Sequence, residues 1–148
     1  MRLILLRHAQ QEGGFAPEVP LSEQGKTSLA KTISHLDAKG FVPESIYTSP
    51  LKRAVESAEM VSAHFNAPML IEAALGDYFD GQVLIQILQA ARAETLCFVG
   101  HAPTLPDFAR TFCPTVTTIS RGCALVLDVS RTNEGLDATY VDLVTSEE

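Results

Sequence analysis

An arginine and a histidine stand side by side at Arg7 and His8, directly after the unbroken apolar run Leu3 to Leu6. A second histidine, His101, follows another apolar run, TLCFVG, in the same kind of position. Arg53 comes four residues after the serine that ends SIYTS. A guanidinium presents a planar fork of donors that matches phosphate oxygens two at a time. A neutral imidazole can attack phosphorus and carry a covalent phosphoryl group. Two guanidinium groups and a second imidazole would then neutralise charge on the equatorial oxygens in the transition state. Taken singly, each residue has an ordinary structural explanation: an arginine at a strand end is usually a surface ion pair, and a histidine there usually a hydrogen-bonded structural residue. The case for chemistry rests on their convergence.

Convergence follows from the elements that carry them. Residues 2–6, 45–48, 68–71 and 95–99 read as short buried strands, and residues 123–129 and 138–144 as two closing strands paired around the turn-rich 132–135. Helical spacing fills the intervals. Ser22 is placed as the N-cap of a helix ended by Gly40. Ser49 is placed as the N-cap of a second helix, with Pro50 at its first position. Further helices fall at 82–92 and from 103 or 104 to about 112. Strands alternating with helices predict a three-layer α/β/α sandwich around a mostly parallel sheet of about six strands. In such sheets ligands bind beyond the carboxyl ends of the strands, where His8, His101 and the segment carrying Arg53 all emerge. A helix N-terminus there adds donors for an anion. His35 and His64 instead lie off the apolar stripes of their helices and are expected to face solvent.

The bulk properties narrow the chemistry. The 148 residues are 46% hydrophobic and 20% charged, which fits one globular domain spanning 1–148. The formal net charge of −7 argues against non-specific nucleic-acid binding, which needs clustered cations. The three cysteines show no CxxC spacing, so no disulfide framework or zinc site is expected, and a reducing, cytoplasmic setting is the better fit. No stretch approaches the length of apolar run that spans a bilayer. There is no Gly-rich P-loop. A Cys-x5-Arg stretch is also absent, as is an aspartate cluster at a strand end of the kind that would hold magnesium. A histidine nucleophile working without metal or cofactor remains.

At this point the sequence resembles a known family, the histidine phosphatase superfamily, which includes the cofactor-dependent phosphoglycerate mutases. LLRHA (5–9) resembles its RHG signature, and PLSEQG (20–25) its PLTxxG segment. YTSPLKRAVESAEMV (47–61) resembles SPLxRAxxTA, and FVGHAPTL (98–105) the second-histidine segment. The resemblance implies that His8 is the nucleophile and that Arg7, Arg53 and His101 form the phosphate pocket. The short length and the GHxP stretch are similar to the compact, SixA-like phosphohistidine phosphatase branch. Four positions depart from the pattern: Ala9 stands for the usual glycine, Gln10 and Gln11 for the family's other polar residues after the motif, with Gln11 the one expected still to touch phosphate, and Ala102 for an asparagine. A Cβ at position 9 matters only if the backbone there needs a positive φ.

An ester leaving group needs a proton, and the larger branches of the family supply it from a carboxylate after the third strand. Asp77 falls nearest to that position, with Asp80 and Glu72 behind it; as a loop aspartate it equally suits a turn. A phosphohistidine substrate needs less help, because it releases imidazole, whose conjugate acid has a pKa of about 6.5. Three readings result. One is a phosphatase acting on a phosphohistidine protein. The second is a phosphatase for a small phosphoester such as a sugar phosphate. The third is a non-catalytic phosphate-binding domain. The partner is accordingly a phosphorylated protein or a small ester, with no nucleic acid or membrane; oligomeric state is left open.

Overall fold

The computed structural model describes residues 1–116 and 118–147. Along them run β1 Arg2–Arg7, α1 Glu23–Ala38, β2 Ser45–Thr48, α2 Lys52–Phe65, β3 Met69–Ile71 and a 3-10 turn at Ala73–Leu75. The order continues with α3 Gly81–Ala90, β4 Thr95–Gly100, α4 Thr104–Arg110, β5 Ala124–Thr132 and β6 Gly135–Val144. The strands make one sheet in the order β3-β2-β4-β1-β5-β6. The first four of that order are parallel, and β5 and β6 add on antiparallel. This is the mostly parallel α/β/α arrangement that the alternation of strands and helices predicts.

The apolar run of β1 is continuous because both faces of the sheet are covered, and strand residues alternate between them. Leu3 and Leu5 pack with Leu84 and Leu88 of α3 and Leu105 and Phe108 of α4. Ile4 and Leu6 pack with Leu29 and Ile33 of α1 and Ala58 and Val61 of α2. In β4, Leu96 and Phe98 join the first core and Cys97 and Val99 the second. Each such side chain contributes roughly 1.5–3 kcal/mol relative to exposure, so the central strands are strongly fixed.

Local chemistry sets where the helices begin. Ser22 caps α1 as expected: its hydroxyl accepts from the Gly25 N–H at 3.0 Å and donates to the Gln10 carbonyl at 3.2 Å. Gly25 lies so close to that segment that a Cβ would sit 2.1 Å from the Gln10 oxygen. The start of α1 is thereby tied to the chain leaving His8. The expected cap of α2 is corrected. Ser49 is fully buried, and its hydroxyl accepts from the Leu51 N–H (3.2 Å) and meets His101 Nε2 (2.7 Å). Ser49 and Pro50 therefore form a turn before the helix, which starts at Lys52 with Leu51 in the cap position and no side-chain cap.

The surface reading of His35 is also corrected. Its Nδ1 lies 2.8 Å from the Thr145 carbonyl, and the side chain is half-buried where the chain leaves β6. His64 is exposed, as expected, and pairs with Asp37 at 2.8 Å. Cys97 and Cys113 are buried and Cys123 is half-buried, and none of the three is in a disulfide among the described residues. Among the described residues no helix is long and apolar enough to cross a membrane.

Candidate active site

Strand order brings the candidate residues together. β2, β4 and β1 are consecutive parallel neighbours, with Thr48 beside Val99 and Gly100 beside Arg7. The residues that follow these strands, Ser49, His101 and His8, therefore stand in a row at the carboxyl edge. The backbone at His8 is held from two sides. Its N–H donates to the Gly100 carbonyl, and the Gly122 N–H is shared between the Arg7 and His8 carbonyls, all at 3.0 Å. The Ala9 N–H donates to Ser57 Oγ at 3.1 Å, and that hydroxyl donates to the Arg53 carbonyl at 2.8 Å. Ala9 is fully buried and is not strained. Among the described residues Asn66 alone, outside glycine, has a positive φ, so the Cβ at position 9 is accommodated. The conformational freedom sits across from it, at Gly122 with φ of 73°.

His8 is 4% exposed, and its Nδ1 lies 2.7 Å from the Ala9 carbonyl. A carbonyl only accepts, so Nδ1 carries the proton and Nε2 keeps a lone pair. Burial pushes the His8 pKa down to about 3; the Ala9 carbonyl opposes this, and His101, Arg53 and Arg7 add to it. Burial likewise takes His101 down to about 4, helped by Arg53 and Arg7 and opposed by the Asp77 carboxylate. Both imidazoles are neutral near pH 7, with ring centroids 5.1 Å apart. Because the Ser49 hydroxyl can accept or donate, it suits His101 in either protonation state.

The two guanidinium groups are anchored by one arm each. Arg7 Nη1 donates to the Ile119 carbonyl at 3.1 Å and Arg53 Nη1 to the Ala16 carbonyl at 3.2 Å. The Nε–H of each is buried with no partner among the described residues. An unpaired buried donor costs about 1–3 kcal/mol, more when charged, and an anion would relieve it. Burial and the neighbouring Arg121 lower the Arg7 pKa from its ordinary value.

A pocket of about 460 Å3 gathers six of the sequence-predicted site residues: Arg7, His8, Gln11, Arg53, Asp77 and His101. It also holds residues that sequence reasoning missed. Arg121 lines it and donates to Gln11 Oε1 at 3.3 Å; Phe15 and Thr104 line it as well. The reserve carboxylates are elsewhere. Glu72 caps the 3-10 turn through the Ala74 N–H (2.9 Å), and Asp80 caps α3 through the Gln82 N–H (3.0 Å). Neither lines the pocket, so Asp77 stands alone of the three. Gln10 is not part of the lining. Among the described residues no group of three or more His, Cys, Asp or Glu is placed to hold a metal ion.

The depressed imidazoles make stability depend on pH. The unfolded chain takes up protons near pH 6.5, whereas folded His8 and His101 resist until about pH 3 and 4. Their contribution is therefore complete above about pH 6.5 and is lost as pH falls towards 3. Melting temperature in phosphate-free buffer should fall between pH 6.5 and 5, and the slope should be shallower in His8→Gln. Equal slopes in the two proteins would contradict the depressed pKa.

Comparison with known proteins gives a consistent picture. The family model described as histidine phosphatase superfamily (branch 1) matches residues 3–105. Among solved structures, the protein histidine phosphatase SixA complexed with tungstate superposes with a TM-score of 0.85 at 18% identity, covering 99% of this chain and 97% of that one. A SixA-type protein from Agrobacterium tumefaciens gives 0.81 at 16% identity, with 97% and 96% covered. A mycobacterial glucosyl-3-phosphoglycerate phosphatase gives 0.75 at 15% identity, with 95% and 96% covered. At these identities the likeness shows the fold. No curated protein matches in sequence.

Proposed function

The chain belongs to the histidine phosphatase superfamily, branch 1, whose members are hydrolases with a histidine nucleophile, and from that we propose that it is a phosphohistidine phosphatase acting on a protein. The observation that carries this reading is a neutral, buried His8 beside two guanidinium groups whose Nε–H donors lack partners among the described residues. His8 Nε2 attacks phosphorus while the P–N bond of the substrate breaks. The substrate imidazole, protonated on its other nitrogen, leaves neutral. Arg7, Arg53 and His101 hold the equatorial oxygens throughout. Water then attacks the phosphoryl group on Nε2. His8 departs as neutral imidazole with its Nδ1–H still on the Ala9 carbonyl, and the water proton leaves with inorganic phosphate. No strong acid is needed for either leaving group.

A second reading, a phosphatase for small phosphoesters, is favoured by one observation: Asp77 lines the pocket and acts electrostatically on His101. An alkoxide leaving group would take its proton from the carboxylic acid form of Asp77, leaving the carboxylate. Phosphate release from a phosphohistidine protein and from a panel of sugar phosphates separates the two. Wild type should favour the phosphohistidine protein. Asp77→Asn should leave that reaction nearly intact while slowing ester cleavage by about 10²-fold or more. Preference for an ester, with every substrate dependent on Asp77, would move the assignment to the second reading.

A further inference from the structure

Two aromatic side chains flank the phosphate pocket without belonging to either core. Phe15 is 81% exposed, on the loop between β1 and α1, and Tyr78 is 88% exposed, on the loop between the 3-10 turn and α3. A groove of about 200 Å3 lies beside the pocket, walled by Pro17, Pro50, Leu51, Ala73 and Tyr78, with Asp77 its one charged residue. Leu51 and Asp77 line both cavities, so the groove begins where the phosphate pocket ends. At about 30 Å3 per water it holds some six or seven waters, room for one side chain.

The walls decide what that side chain is. Sugar hydroxyls placed there would lose water and find almost no donors or acceptors in return. An aliphatic or aromatic side chain would be rewarded by burial against two prolines, a leucine and a tyrosine ring. The shared wall also fixes where such a group must be carried: within reach of the phosphorus, on the same substrate molecule.

We infer that this groove is a specificity subsite that takes an apolar side chain next to the phosphohistidine of the substrate protein. The inference rests on the phosphohistidine reading and adds to it what the neighbouring residue must be.

Two synthetic peptides test it, each with one histidine phosphorylated by phosphoramidate, flanked on both sides by leucine in one and by serine in the other. Wild type should hydrolyse the leucine peptide with kcat/KM about ten-fold or more above the serine peptide, the difference residing in KM. Tyr78→Ser should bring the ratio close to one, and Tyr78→Phe should keep it. Because Tyr78 is so exposed, these variants should fold like wild type. Equal kcat/KM for the two peptides in wild type, or a preference that survives Tyr78→Ser, would overturn the subsite while leaving the phosphohistidine reading in place. Failure to cleave either peptide while sugar phosphates are cleaved would overturn both.

Discussion

His8→Ala should lose turnover of every phosphorylated substrate by about 10⁴-fold or more, the scale seen when a covalent nucleophile is removed. The size follows from how completely the structure commits this ring. It is buried, its Nδ1 proton is held by the Ala9 carbonyl, and its backbone is fixed by Gly100 and Gly122. No other nitrogen in the pocket has an equivalent setting. His101 shares its Nε2 with Ser49, and the arginines carry no lone pair. Rapid quenching with ³²P-labelled substrate should place an acid-labile phosphoryl group on His8 in wild type and none on the variant. Labelling that persists in His8→Ala would assign the nucleophile elsewhere. His8→Gln, which keeps most of the buried volume, should be equally inactive, and this separates lost chemistry from lost packing.

Arg53→Ala should follow, with a loss of about 10²–10³-fold in kcat, the range for removing one preorganised donor from a developing charge. Arg53 differs from an ordinary surface cation in three ways. It is 8% exposed, it sits in the first turn of α2, and its Nε–H has no partner among the described residues. Arg53→Lys keeps the charge and loses the fork, so it should recover little of the activity. The two variants should separate in NMR titrations of the imidazoles. The charge on Arg53 helps hold His8 and His101 down, so Arg53→Ala should let both titrate at higher pH and Arg53→Lys should not. Full activity in Arg53→Lys would show that charge alone suffices and would remove bidentate recognition from the mechanism.

Much of this site is legible in the sequence because a parallel sheet has one functional edge. Once β1, β2 and β4 are recognised as strands, whatever follows them must emerge at the same side, and His8, Ser49 and His101 do. Which strands are neighbours is not legible, and the errors come from there. Arg121 carries no motif and follows no strand. It reaches the pocket because β5 pairs antiparallel with β1, a pairing that local pattern does not encode. Ser49 reads locally as a helix cap, yet β4 beside β2 brings His101 against its hydroxyl, and this contact outcompetes capping. His35 reads as solvent-facing on its own helix, but the chain beyond β6 passes over that face. Glu72 and Asp80 show the reverse case: both stand near the expected acid position, and both are used by the backbone two residues on.

The placing of β1 has a consequence for how the protein comes into being. It precedes the other five described strands in chain order and carries four consecutive apolar residues, yet its partners are residues 95–100 on one side and 124–128 on the other. Those contacts span most of the chain, and long-range pairing of this kind closes slowly. During synthesis the segment that ends in Arg7-His8 must therefore wait, unpaired and sticky, until β4 and then β5 have left the ribosome. A nascent or truncated chain that stops before residue 122 has Arg7 and His8 but not the Gly122–Cys123 clasp that seats them. Catalytic competence waits on the pairing of β1 with both β4 and β5, and the sheet's central seam is the stretch most in need of protection before then.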